Sequence, residues 1–102
     1  MTFNEITSRL ENYRYDEKEL DEKKKRLRIR VGEDIITISG DGASSFHGIA
    51  IVRESKYGVM QNFLFANLET IKSFGVGYDV LYFTFYDGVQ IEVPIKLVPI
   101  RG

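Results

Sequence analysis

Apolar residues Phe3, Ile6, Leu10, Tyr13 and Leu20 recur on the 3-4-3-7 spacing of one α-helical face, and Glu17 stands where a further apolar residue would complete the stripe. The spacing predicts a helix over about residues 3–23. Thr2 or Asn4 can open it, because either side chain can accept a hydrogen bond from an unpaired N–H of the first turn. Its second half is almost wholly charged. Glu19 with Lys23, Asp21 with Lys25 and Glu22 with Arg26 stand in the acid-before-base order that supports a helix.

At Leu27 the period falls from helical to alternating. Leu27, Ile29 and Val31 face one way and Arg26, Arg28 and Arg30 the other, the pattern of a half-buried strand. "GED" turns the chain into "IITIS", which predicts a hairpin, and "GDGASS" follows as a loop. "FHGIAIVR" (46–53) is apolar on both faces and reads as a central strand ended by "ESKYG"; "VMQNFLFA" (59–66) is also strand-like. Residues 67–75 fit either a short helix capped by Asn67 or two strands joined near it, and strand is favoured. The sharpest signal is "DVLYFTFYDGVQIEVPIKLV". Leu81, Phe83 and Phe85 alternate with Tyr82, Thr84 and Tyr86, a turn follows at Asp87-Gly88, and Val89, Ile91 and Val93 resume the alternation. This predicts an antiparallel hairpin of 80–86 with 89–96. Pro94 and Pro99 cannot donate to a ladder, so the last strand should lie on an edge or leave the sheet near residue 94.

The expected fold class is α+β: an N-terminal helix (about 3–23) packed on a small antiparallel β-roll or partly closed barrel of six to seven strands (about 26–98). All of this fits one domain, 1–102, since a chain of 102 residues buries roughly 65% of its unfolded surface. Apolar residues at 43% and charged residues at 28% place it among ordinary globular chains, away from disorder. It has no cysteine, which removes disulfides, thiolate metal ligands and a thiol nucleophile. With neither a signal-like apolar core nor a run of membrane-spanning length, a cytoplasmic protein without membrane attachment is expected.

Charge redirects attention to one stretch. The formal net charge is −1, yet "KKKRLRIR" holds six cations between Lys23 and Arg30. Residues 1–30 hold nine Lys or Arg against seven acids, and residues 31–102 five against eight, so the basic character is local. Arg26, Arg28 and Arg30 would stand about 7 Å apart on a strand face, a spacing close to that of phosphates along a single strand, and Tyr82 and Tyr86 could stack bases. Alternatively, the arginines pair with acids across the sheet and the tyrosines cover apolar surface.

Other chemistry finds little footing. "GDGASSFHG" gathers Asp41, Ser44, Ser45 and the lone His47, but a nucleophilic site needs side chains converging from separate elements, and a phosphate-cradling glycine loop should open into a helix. One histidine with scattered carboxylates matches no zinc or calcium spacing. No catalytic residue, metal or cofactor is therefore expected. Arginine and tyrosine are also the residues enriched at protein interfaces. The leading expectation is a non-enzymatic protein-interaction module, a small inhibitor or accessory protein of the phage or mobile-element kind. Its partner would be a larger protein, acidic or part of a nucleic-acid-handling machine, met through Arg26, Arg28, Arg30, Tyr82 and Tyr86. A small barrel binding single-stranded nucleic acid directly through the same residues is the alternative, and a small-ligand or lipid-binding barrel the second.

Overall fold

Thr2 does open the first element. In the computed structural model, which describes residues 1–40 and 47–100, helix α1 spans Phe3–Leu10. Thr2 Oγ1 accepts from the Glu5 N–H at 3.1 Å, and the Glu5 carboxylate accepts from the Thr2 N–H at 3.0 Å, a reciprocal box that satisfies two orphan donors. These bonds from Thr2 hold the Glu5 carboxyl below its ordinary pKa. Phe3, Ile6 and Leu10 are buried.

The helix ends there, far short of residue 23. Tyr15 folds back so that its hydroxyl donates to the Leu10 carbonyl, one of the acceptors a helix leaves unpaired at its C-terminus. The chain then extends as β1 (Tyr13–Arg14) and β2 (Glu17–Asp21), turns over residues 22–25, and returns as β3 (Arg26–Val31). Asp21 Oδ1 accepts from the Lys24 N–H at 3.0 Å, and Lys25 takes a left-handed φ of 51°. The acid-before-base pairs therefore never form on a helix. Glu19 and Asp21 instead stand opposite Arg28 and Arg26 in the strand register, and strand pairing prevails over helix supports worth only about 0.2–0.5 kcal/mol each.

Further along, β4 is Asp34–Ser39, β5 Gly48–Glu54, β6 Met60–Asn67, β7 Ile71–Val76, β8 Leu81–Phe85, β9 Gln90–Val93 and β10 Val98–Pro99, with a 3₁₀ turn at Leu68–Thr70 between β6 and β7. These described strands number ten, against the six or seven expected; the surplus comes from 13–21, read as helix, and from the short β10. Both hairpins expected from turn chemistry are present. Gly32, at φ 59°, turns β3 into β4, and Gly88, at φ 92°, turns β8 into β9, with Asp87 accepting from the Val89 N–H at 2.9 Å. β9 stops at Val93, directly before Pro94. The loop read at "GDGASS" lies almost entirely outside the described residues.

All strand pairs are antiparallel. They form a five-stranded sheet in the order β2-β3-β4-β5-β6, a three-stranded sheet β7-β8-β9, and the small pair β1-β10. Among the described residues no sheet closes into a barrel, so that expectation is corrected. Closure needs a continuous ladder around the ring, and the 3₁₀ turn ends the first ladder at β6 and starts a separate one at β7. Ile29, Ile36, Ile38, Ile49 and Ile51 from the first sheet, Phe74, Leu81 and Phe83 from the second, and Ile6 and Leu10 of α1 fill one shared core. Among the described residues no helix is long and apolar enough to cross a membrane.

Candidate interaction surface

Residues opposite one another in antiparallel strands share a face, so the register of the large sheet fixes what its outer side carries. β2 sets Glu17, Glu19 and Asp21 opposite Arg30, Arg28 and Arg26, and β3 sets those arginines opposite Ile35, Thr37 and Ser39. Ile35 and Thr37 in turn face Val52 and Ala50. α1 and the three-stranded sheet share the core on the inner side. The outer side thus runs from a row of carboxylates, through a row of guanidiniums, to a half-buried strip of Ile35, Thr37, Ala50 and Val52. Phe65, opposite Ala50, lies at the far edge.

Arg26, Arg28 and Arg30 share one face as their alternation implied, and the strand beside them sets a carboxylate residue opposite each. Glu17 reaches Arg30 at 3.9 Å, and Arg30 Nε also donates to the Gly32 carbonyl at 3.1 Å. Exposed pairs of this kind stabilise a fold by only about 0–1 kcal/mol. Their effect here is on the field: the backbones that carry the three arginines and the three acids lie one strand spacing apart, about 4.8 Å. The helical spacing over about 3–23 conceals the carboxylate row. A signal for it was present: Glu17, Glu19 and Asp21 mirror Arg26, Arg28 and Arg30 across a four-residue spacer, as charges do on the two arms of a hairpin.

Tyr82 and Tyr86 lie on the other sheet. Tyr82, 44% exposed, stands on β8 opposite Gly75 and Glu92, and Tyr86, 70% exposed, begins the turn after β8. Among the described residues no hydrogen bond, ion pair or ring contact joins either tyrosine to the arginine row, so the five residues do not form one continuous platform.

Arg53, to which the sequence assigned no role, makes a two-point ion pair with Asp34, Nε to Oδ1 at 2.7 Å and Nη2 to Oδ2 at 3.2 Å. Its Nη2 also donates to the Pro94 carbonyl at 3.1 Å, and its guanidinium lies 4.9 Å from the Phe63 ring centre. This clasp ties the large sheet to the segment after β9. The Asp34 hydrogen bond raises the Arg53 pKa further. His47 Nδ1 lies 2.8 Å from the Gly40 carbonyl, which makes Nδ1–H the donor, while Asp41, Ser44 and Ser45 lie outside the described residues. Among the described residues, no three His, Asp or Glu side chains gather closely enough to hold a metal ion.

No protein-family model, curated protein or solved structure matches the chain.

Proposed function

We propose that the chain is a non-enzymatic protein-interaction module that meets a larger protein through the outer side of its five-stranded sheet. The observation that carries this reading is the register, which places every arginine of β3 opposite a carboxylate of β2. A nucleic-acid backbone laid along Arg26, Arg28 and Arg30 would run beside three negative charges, an arrangement opposed to phosphate binding. A protein surface bearing both signs of charge suits it better. The strip of Ile35, Thr37, Ala50 and Val52 supplies the apolar centre of such a contact, and the flanking charges supply its polar rim. In this reading Arg28 and Arg30 contribute specificity and encounter rate more than affinity. The role that follows is an accessory or inhibitory one, exerted by occupying a partner's surface.

The test is affinity capture from native cells, with and without nuclease, using the wild-type chain beside a Thr37→Lys variant. The expected result is one protein retained in stoichiometric amount after nuclease treatment and lost with Thr37→Lys, while the variant keeps its fold by circular dichroism. Loss of every partner on nuclease treatment would overturn the reading in favour of nucleic acid.

A further inference from the structure

β2 has a neighbour on one side only. β3 pairs with it, and among the described residues no strand pairs with its other edge. All five of its residues are exposed. An open edge is a template for another strand, and charged side chains are the usual guard against pairing with the wrong one. The guard here is ordered. Glu17, Glu19 and Asp21 line the outer side, and Lys18 and Leu20 the inner side, where they face Ile29 and Leu27. Beneath Lys18 and Leu20 lies a groove of about 320 Å³, walled on the other side by Asn4, Thr7 and Glu11 along the flank of α1. Leu20 is 44% exposed at its mouth.

The charges select among occupants. A second copy of the chain is rejected: two β2 strands pairing antiparallel about Glu19 would set Glu19 against Glu19 and Glu17 against Asp21. Register shifts that keep the faces matched still place acids on acids. Like charges directly opposite destabilise a pair. β3 shows what does fit, an alternation in which arginines meet the carboxylates and Leu27 and Ile29 meet the inner side. Both edges of β2 present the same side chains, so the free edge calls for the same alternation. Of its carboxylates, Glu17 reaches Arg30 and Asp21 accepts from the Lys24 N–H, whereas Glu19 has no hydrogen-bond or ion-pair partner among the described residues.

We infer that the free edge of β2, with the groove beneath it, binds an extended segment of another protein in which basic residues alternate with apolar ones. The segment adds as a sixth antiparallel strand. Its main chain pairs with β2, its basic residues sit over Glu17, Glu19 and Asp21, and its apolar residues turn into the groove beside Leu20. This edge shares its carboxylate row with the rim of the outer-face contact, but the main-chain pairing and the groove belong to the edge alone.

The test uses the full chain, isotope-labelled, titrated with a capped six-residue peptide copying residues 26–31. Two controls accompany it: the same six residues with the three arginines placed together, and the alternating peptide N-methylated at every second residue. The expected result is saturable amide shifts confined to residues 17–21 and the facing flank of α1, with at least tenfold weaker binding for both controls. Glu19→Lys should weaken the alternating peptide about tenfold and Glu19→Gln by less, and the spectra themselves report whether each variant is folded. Equal affinity for the alternating and rearranged peptides, shifts centred away from β2, or no saturable shift at millimolar peptide would overturn the inference.

Discussion

Replacing Phe83 by alanine tests the packing on which both sheets depend. Phe83 lies in β8, the middle strand of the small sheet, is 1% exposed, and stacks on Phe74 with ring centres 4.9 Å apart. A buried phenylalanine ring removes about 150–250 Å² from water, and the cavity left by its loss adds to the transfer loss, so the expected destabilisation is about 3–5 kcal/mol. Small domains hold only about 5–15 kcal/mol in total, so the variant should lose a large share of its stability. At about 4–8 °C per kcal/mol the melting temperature should fall by roughly 12–40 °C. Urea unfolding followed by far-ultraviolet circular dichroism measures this, with an unchanged slope showing that the unfolded states are alike. Tyr82→Ala, one residue away on the opposite face and 44% exposed, should lose about 1 kcal/mol or less. A loss below about 1 kcal/mol for Phe83→Ala, or equal losses for the two variants, would refute the packing described.

Lys25→Gly distinguishes turn from helix by sign: at the left-handed φ of 51° glycine should stabilise by up to about 1 kcal/mol, whereas within a helix it would destabilise by a similar amount, and thermal melts report which. Gly40→Ala should destabilise by about 1–3 kcal/mol, because the new Cβ would lie 2.9 Å from both the Lys25 Cβ and the Phe3 Cβ, atoms close to backbone that cannot swing aside; an unchanged melt would show that the α1–turn contact is loose. Burial, aided by the neighbouring Tyr13, raises the Tyr15 pKa well above its ordinary value of 10.0. Stability from the neutral phenol is therefore complete below about pH 10 and is lost as pH rises toward the folded-state value, so wild type should melt progressively earlier in alkali while Tyr15→Phe shows less of this slope.

What the sequence made legible follows from where local and tertiary preferences agree. The hairpins at Gly32 and Gly88 were readable because turn chemistry and strand alternation point the same way, and the exit of β9 at Pro94 because proline cannot continue a ladder. Phe83, Phe85 and Val93 are buried as their alternation implied, although Ile91 is only half-buried. The segment 13–21 misled because its charges satisfy two periodicities. Glu19, Asp21 and Glu22 stand four before a base, and Glu17, Glu19 and Asp21 also alternate; only pairing with β3 across the turn at 22–25 decides between them. The arginine row was legible as a face, but its electrostatic character was not, because the carboxylates opposite it belong to the misread segment. Two strands joined near Asn67 are present as favoured, β6 ending at Asn67 and β7 beginning at Ile71, but the break between the five-stranded and three-stranded ladders at Leu68–Thr70 was not legible, since which strands pair is not written in the turn itself.

The carboxylates of β2 opposite the arginines of β3 are what, in the proposed function, disfavour phosphate and favour a protein partner. The most direct measurement is binding of labelled single-stranded and duplex oligonucleotides at about 150 mM salt, for the wild-type chain and for a triple variant Glu17→Gln, Glu19→Gln and Asp21→Asn. The account predicts no binding tighter than the non-specific range of about 10⁻⁴ to 10⁻⁶ M for wild type, and stronger, salt-sensitive binding once the carboxylates are neutralised. Submicromolar binding by the wild-type chain, lost on Arg28→Ala with Arg30→Ala and unaffected by the triple variant, would contradict it.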